Sequence, residues 1–162
     1  MPKILILFSN HPTAMVNAVA EGARGVRFSE VELYRVRGDA AGTPADAHQT
    51  LVSADEMLPY DAVVVAVTAG GSLDPELGRF LEDATHATPR TAWKNKVASA
   101  FPSEPSEHPT DLWPSLATLG NMGMLVVSPS AATMDAAKEL GARIAQVVSW
   151  VTHARSHHHH AH

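Results

Sequence analysis

Apolar residues in this chain cluster in short runs separated by polar segments. Residues 4–8 (Ile-Leu-Ile-Leu-Phe), 61–68 (Asp-Ala-Val-Val-Val-Ala-Val-Thr) and 96–101 (Lys-Val-Ala-Ser-Ala-Phe) are too short for helices and rich in β formers. Such runs predict strands buried on both faces, the signature of a parallel sheet. Between them the period lengthens. Val16, Val19, Ala20, Ala23 and Val26 recur at helical spacing after Thr13, whose hydroxyl is placed to cap the first turn, and Gly25 suits the end. Residues 29–35 alternate Val31 and Leu33 with Glu30 and Glu32, which predicts a strand nearer the sheet edge.

Residues 38–49 read as a loop. Ser53 with Glu56 resembles a capping box opening a very short helix that Pro59 ends. Pro75 stands at a first-turn position before Leu77, Phe80, Leu81 and Ala84 on one helical face. A loop over 102–114, a helix around 115–119, a strand over 124–127 and a closing helix over 135–148 complete the pattern, with Thr133 or Ser130 capping the last. Strand and helix alternate at steps of about thirty residues, which builds βαβ units. The expected fold class is α/β, a three-layer sandwich whose parallel sheet of four to five strands carries helices on both faces.

At 162 residues the chain suits one core, expected over 1–153 as a single domain. Five of its ten histidines fall in 156–162, and residues 154–162 read as a flexible His-rich tail, an expression tag or a low-complexity extension, not a metal site. Twelve basic against seventeen acidic residues give a formal charge of −5, which disfavours nucleic acid as a partner. With no cysteine, thiolate metal sites, disulfides and cysteine nucleophiles are excluded. No apolar run approaches a membrane span and no signal-like region precedes the first strand, so no membrane partner and a cytoplasmic setting are expected.

Candidate chemistry concentrates where strands deliver loops to helices, since helix N-termini there accept anions. The first such loop is Asn10-His11-Pro12-Thr13 after Ser9. The second is Thr68-Ala69-Gly70-Gly71-Ser72, and the third runs from Pro102 and Ser103 through Glu104 and Glu107 to His108. None of these is a Walker A, a Rossmann glycine fingerprint or a serine-hydrolase elbow. His11 is a candidate for proton transfer or phosphate contact, without an identifiable partner. Trp93 and Trp150 read as packing or interface residues. Trp113 reads either as a cover for the sheet end or as a residue that stacks on a flat ligand.

Several stretches together carry a family likeness: residues 3–9, Ala18-Val19-Ala20-Glu21-Gly22-Ala23, Tyr60-Asp61-Ala62, Arg79-Phe80-Leu81-Glu82 and Lys96-Val97-Ala98-Ser99-Ala100-Phe101. In this order and spacing the chain resembles the flavodoxin-like superfamily, and within it the WrbA-type, FMN-dependent NAD(P)H:quinone oxidoreductases. The resemblance implies sheet order 2-1-3-4-5, FMN across the carboxyl ends of the strands, NAD(P)H and quinone as substrates, and a homo-oligomer. It also implies cofactor contacts from Ser9, His11, Thr13, Thr68, Gly70, Gly71, Ser72 and Ser103. The departures fall on these same loops. Pro12 stands where the family has glycine and removes a donor, and Glu104 and Glu107 replace a glycine-rich surface with charge opposed to a phosphate. An alternative is therefore carried alongside: a family member that has lost FMN and serves as an interaction or small-ligand module.

Overall fold

The computed structural model describes residues 2–9, 13–27, 29–36, 49–51, 54–67, 75–105, 112–129 and 131–160. Six parallel strands form one sheet: β1 (Lys3–Phe8), β2 (Glu30–Val36), β3 (Gln49–Leu51), β4 (Ala62–Val67), β5 (Val97–Pro102) and β6 (Leu125–Val127). Their spatial order is β3-β2-β1-β4-β5-β6. With the three-residue β3 set aside, this is the expected 2-1-3-4-5 arrangement. Four α-helices connect or follow the strands: α1 (Ala14–Arg24), α2 (Pro75–Ala87), α3 (Trp113–Asn121) and α4 (Met134–His160).

The alternation of side chains along β1 and β4 divides the core in two. Ile4, Ile6, Phe8 and Val64 turn toward α1 and α4, where Val16, Val19, Leu140 and Ile144 are buried. Leu5, Leu7, Val63 and Val65 turn the other way, against Leu77 and Leu81 of α2 and Leu116 and Leu119 of α3. Both faces of the central strands are thus covered, which is why their sequences run apolar without alternation.

α1 and α4 approach one another closely through glycine. A Cβ at Gly22 would lie 1.9 Å from the Lys138 carbonyl oxygen, and one at Gly141 would lie 2.0 Å from the Val19 carbonyl oxygen. On the opposite face Trp93 is buried, and its indole N–H donates to Thr88 Oγ1 at 2.7 Å, which satisfies the ring's polar group inside the core.

Three differences from the sequence reading have physical causes. Residues 38–49 were expected as loop, yet Gln49 begins β3, since the edge of β2 offers a free ladder to any extended segment. The strand over 124–127 is an edge strand in which Leu125 and Val126 are exposed; an apolar run alone does not reveal how many faces are covered. The closing helix does not stop at Val148, and the segment set apart as a tail is helical as far as His160. No glycine or proline follows Gly141, so the sequence contains no terminator. Its N-terminus is as expected: Thr133 Oγ1 accepts from the Ala136 N–H at 3.1 Å.

Candidate functional site

At its centre the sheet parts toward the carboxyl ends of the strands. The β1–β2 ladder continues to Phe8 opposite Arg35, and the β4–β5 ladder to Val67 opposite Pro102. The β1–β4 ladder between them ends earlier, at Leu7 opposite Val65. Beyond Val67 the Ser103 N–H still donates to the Val67 carbonyl oxygen at 2.8 Å, which holds the β4 and β5 tips together. The crevice therefore opens between β1 and β4. There the chain order reverses, with β2 and β3 laid on one side of β1 and β4 to β6 on the other, the switch point where open α/β sheets take ligands.

The β1 side of this crevice carries hydroxyl and backbone N–H donors. Ser9 follows β1 and is half-buried, and Thr13 is the N-cap of α1. Thr13 adopts extended backbone (φ −87°, ψ 173°), and its Oγ1 accepts from the Val16 N–H at 3.3 Å. Its carbonyl oxygen accepts from the Asn17 N–H at 3.1 Å. The N–H groups of Ala14 and Met15, at the first two helical positions, have no acceptor within the helix. The Thr13 hydroxyl keeps its own proton to donate, and no acidic residue occupies the first turn of α1. Two backbone donors, one hydroxyl and the positive end of a three-turn helix make a donor set suited to a phosphate.

On the β5 side, Ser103 is half-buried, with its N–H engaged by Val67 and its hydroxyl outside that bond. Glu104 beside it is exposed. Ser9, Thr13 and Ser103 thus share the carboxyl rim. The other expected contacts, His11, Thr68, Gly70, Gly71 and Ser72, lie outside the described residues, as do Pro12, Glu107 and His108. Among the described residues no group of three histidines, cysteines or carboxylates is arranged to hold a metal ion. Among them, too, no helix is long and apolar enough to cross a membrane.

A second polar cluster, unforeseen from the sequence, lies away from the crevice. The Tyr60 hydroxyl donates to Glu32, and the Tyr34 ring meets Tyr60 edge-on with centroids 6.2 Å apart. Burial, reinforced by the Glu32 carboxylate and by Tyr34, raises the Tyr60 pKa well above the ordinary phenol value. Lys96 Nζ closes the turn before β4 by donating to the Leu58 carbonyl at 2.8 Å and the Tyr60 carbonyl at 2.5 Å. The available signal was the spacing of Glu32 and Tyr34, which places both on one face of β2.

This architecture defines a flavodoxin-like protein. It superposes on the two-electron reduced flavodoxin of Megasphaera elsdenii with a TM-score of 0.62 at 18% identity, covering 88% of this chain and 98% of that one. It superposes on the flavoenzyme NAD(P)H:(acceptor) oxidoreductase FerB of Paracoccus denitrificans with a TM-score of 0.63 at 17% identity, covering 94% and 98%. No protein-family profile matches the chain. In sequence it is 31% identical over 141 residues to the NAD(P)H dehydrogenase (quinone) of Rhodopseudomonas palustris strain TIE-1, covering 78% of this chain and 70% of that protein. The chain belongs to the NAD(P)H dehydrogenase (quinone) family.

Proposed function

We propose that the protein is an FMN-dependent NAD(P)H:quinone oxidoreductase. The observation that carries this reading is the parting of β1 from β4 beside the Thr13-capped start of α1. The donor set there fits the phosphate of FMN: the Thr13 hydroxyl, the Ala14 and Met15 amides and the neighbouring Ser9 hydroxyl would hold it. The pairing of the β4 and β5 tips through Ser103 keeps the opposite wall fixed while a ligand enters. Ser103 and residues 68–72 would face the ring, with the Gly70, Gly71 and Ser72 amides setting its polarity. FMN, if bound, would supply the two-electron relay between NAD(P)H and a quinone, with the hydride and one further proton ending on the hydroquinone. Membership of the NAD(P)H dehydrogenase (quinone) family supports both substrates.

The expected homo-oligomer and the cytoplasm, where NAD(P)H is supplied, belong to the same proposal. The exposed indole of Trp150, 66% accessible on α4, supports a contact between copies. Two features favour the alternative of a flavin-free module: Pro12, which cannot donate to a phosphate, and the exposed Glu104 carboxylate on the β5 side.

A flavin titration followed by an acceptor assay separates the two. Purified protein is expected to quench FMN fluorescence saturably at micromolar concentration or below. It is then expected to oxidise NADH or NADPH only when a quinone is added. Protein that leaves FMN fluorescence unchanged would overturn the enzyme reading in favour of the flavin-free module.

A further inference from the structure

β6 is the outermost strand beyond β5, and its sequence is Leu125-Val126-Val127. It carries neither lysine nor proline, two of the residues that keep a strand edge from pairing. The Leu125 N–H donates inward to the Lys96 carbonyl oxygen at 2.8 Å, and Leu125 and Val127 stand in register with Val97 and Ser99. Successive residues of a strand turn their backbone groups to opposite sides. The N–H and C=O of Val126 therefore point out of the sheet, and among the described residues no strand lies beyond them.

Both faces of the sheet are apolar and open at this edge. Val126 turns toward α3, where a Cβ at Gly120 would lie 3.6 Å from its Cγ2, and it is 39% accessible. Leu125 turns to the α4 face and is 43% accessible. α4 packs against α1 and β5, and Gly141 is its point of contact with α1. Trp150 follows Gly141 by two and a half turns, so its exposed indole points away from α1, to the side on which β6 lies.

We propose that a second copy of this chain docks on β6, its own β6 running antiparallel about a twofold axis through Val126, so that two sheets become one. This rests on the homo-oligomer reading above and gives it an interface; it requires no flavin. On the axis the two Val126 residues exchange both hydrogen bonds, each N–H donating to the other's carbonyl oxygen. The same axis sets α4 antiparallel to its counterpart on one face, with the Trp150 side of each helix turned inward, and α3 beside its counterpart on the other.

The edge suits a copy better than a foreign strand. Three residues give a long partner strand little to pair with, whereas an isologous contact uses every group twice. Residues 124–128 carry no charge, so chains of formal charge −5 meet there without opposed carboxylates. The flank is also large enough. Six residues of strand and three layers present roughly 20 Å by 30 Å, about 600 Å² before side-chain relief, near the ~800 Å² per partner of a stable pair.

The test is sedimentation of the full chain without flavin, in EDTA so that histidines cannot bridge copies through metal. Wild type is expected at twice the chain mass at micromolar concentration. Leu125→Lys and Val126→Pro, the latter deleting only an outward donor, should each raise the dimer Kd at least tenfold with helical circular dichroism retained. Glu82→Lys, on α2, should leave it unchanged. The chain has no cysteine, so Val126→Cys introduces one thiol, and its copy stands about 5.5 Å away between Cα atoms, within disulfide reach. Mild oxidation should link this variant and leave Glu82→Cys single. A dimer indifferent to Leu125→Lys, with Val126→Cys unlinked, would overturn the β6 pairing and leave the homo-oligomer standing. Wild type that stays monomeric at 100-fold higher concentration would overturn both.

Discussion

Replacing Thr13 with alanine removes two things that separate measurements can read. The cap to the Val16 N–H is lost, which should lower stability by about 1 kcal/mol in a denaturant titration. The hydroxyl available to a phosphate is lost as well. Affinity for FMN should fall about tenfold or more, while riboflavin, which lacks the phosphate, should bind almost as before. Equal losses for both flavins would remove Thr13 from the phosphate site. Tyr60 supports a different pair of predictions. Tyr60→Phe strips the donor from Glu32 and should cost about 1–3 kcal/mol. The folded protein keeps this phenol neutral above its ordinary pKa, whereas the unfolded chain ionises it near pH 10. Unfolding therefore releases a proton above about pH 10, so stability should fall as pH rises through that range, and less steeply in Tyr60→Phe.

At the scale of elements, the contact between α1 and α4 depends on two missing side chains. Gly22→Ala or Gly141→Ala would drive a methyl into backbone of the facing helix, where no rotamer change gives relief. Each should lower stability by about 1–3 kcal/mol or more, read as a shift in denaturation midpoint. Most elements were legible because their periods were clean: the runs of β1, β4 and β5, the 3.6-residue face of α1, and the caps at Thr13 and Thr133. The exceptions have separate causes. β3 is three residues long, and its existence depends on the adjoining edge of β2, a relation that no local pattern encodes. The reach of α4 was missed because helix continuation through Trp150 and His153 needs only the lack of a breaker, and absence is a weak signal. The parting of β1 from β4 was illegible for a stronger reason, since it is a property of ladders and not of residues.

Across the whole molecule, a formal charge of −5 confronts ligands that are themselves anionic. On the proposed function this field would slow the approach of FMN and NAD(P)H, and the donors at α1 would hold the FMN phosphate once it arrives. Association rates for FMN should consequently rise with ionic strength up to about 0.15 M, where the field reaches only about 8 Å. Stopped-flow flavin fluorescence would show this, and a rate that falls steadily with salt would point to a basic approach path. The fold and family were readable across the length of the chain because they rest on many weak agreements. The site was only partly so, because Pro12, Glu104 and Glu107 depart from the pattern at the positions where chemistry is decided.

The β1–β4 ladder stops at Leu7 opposite Val65, short of the ladders on either side of it, so the carboxyl rim between these two strands is a natural line of breathing. Whatever lodges in it acts as a rivet across the two halves. Deuterium uptake at Ser9 and Val67 should therefore slow on cofactor loading far more than at Ala98 or Ser99, in the middle of β5.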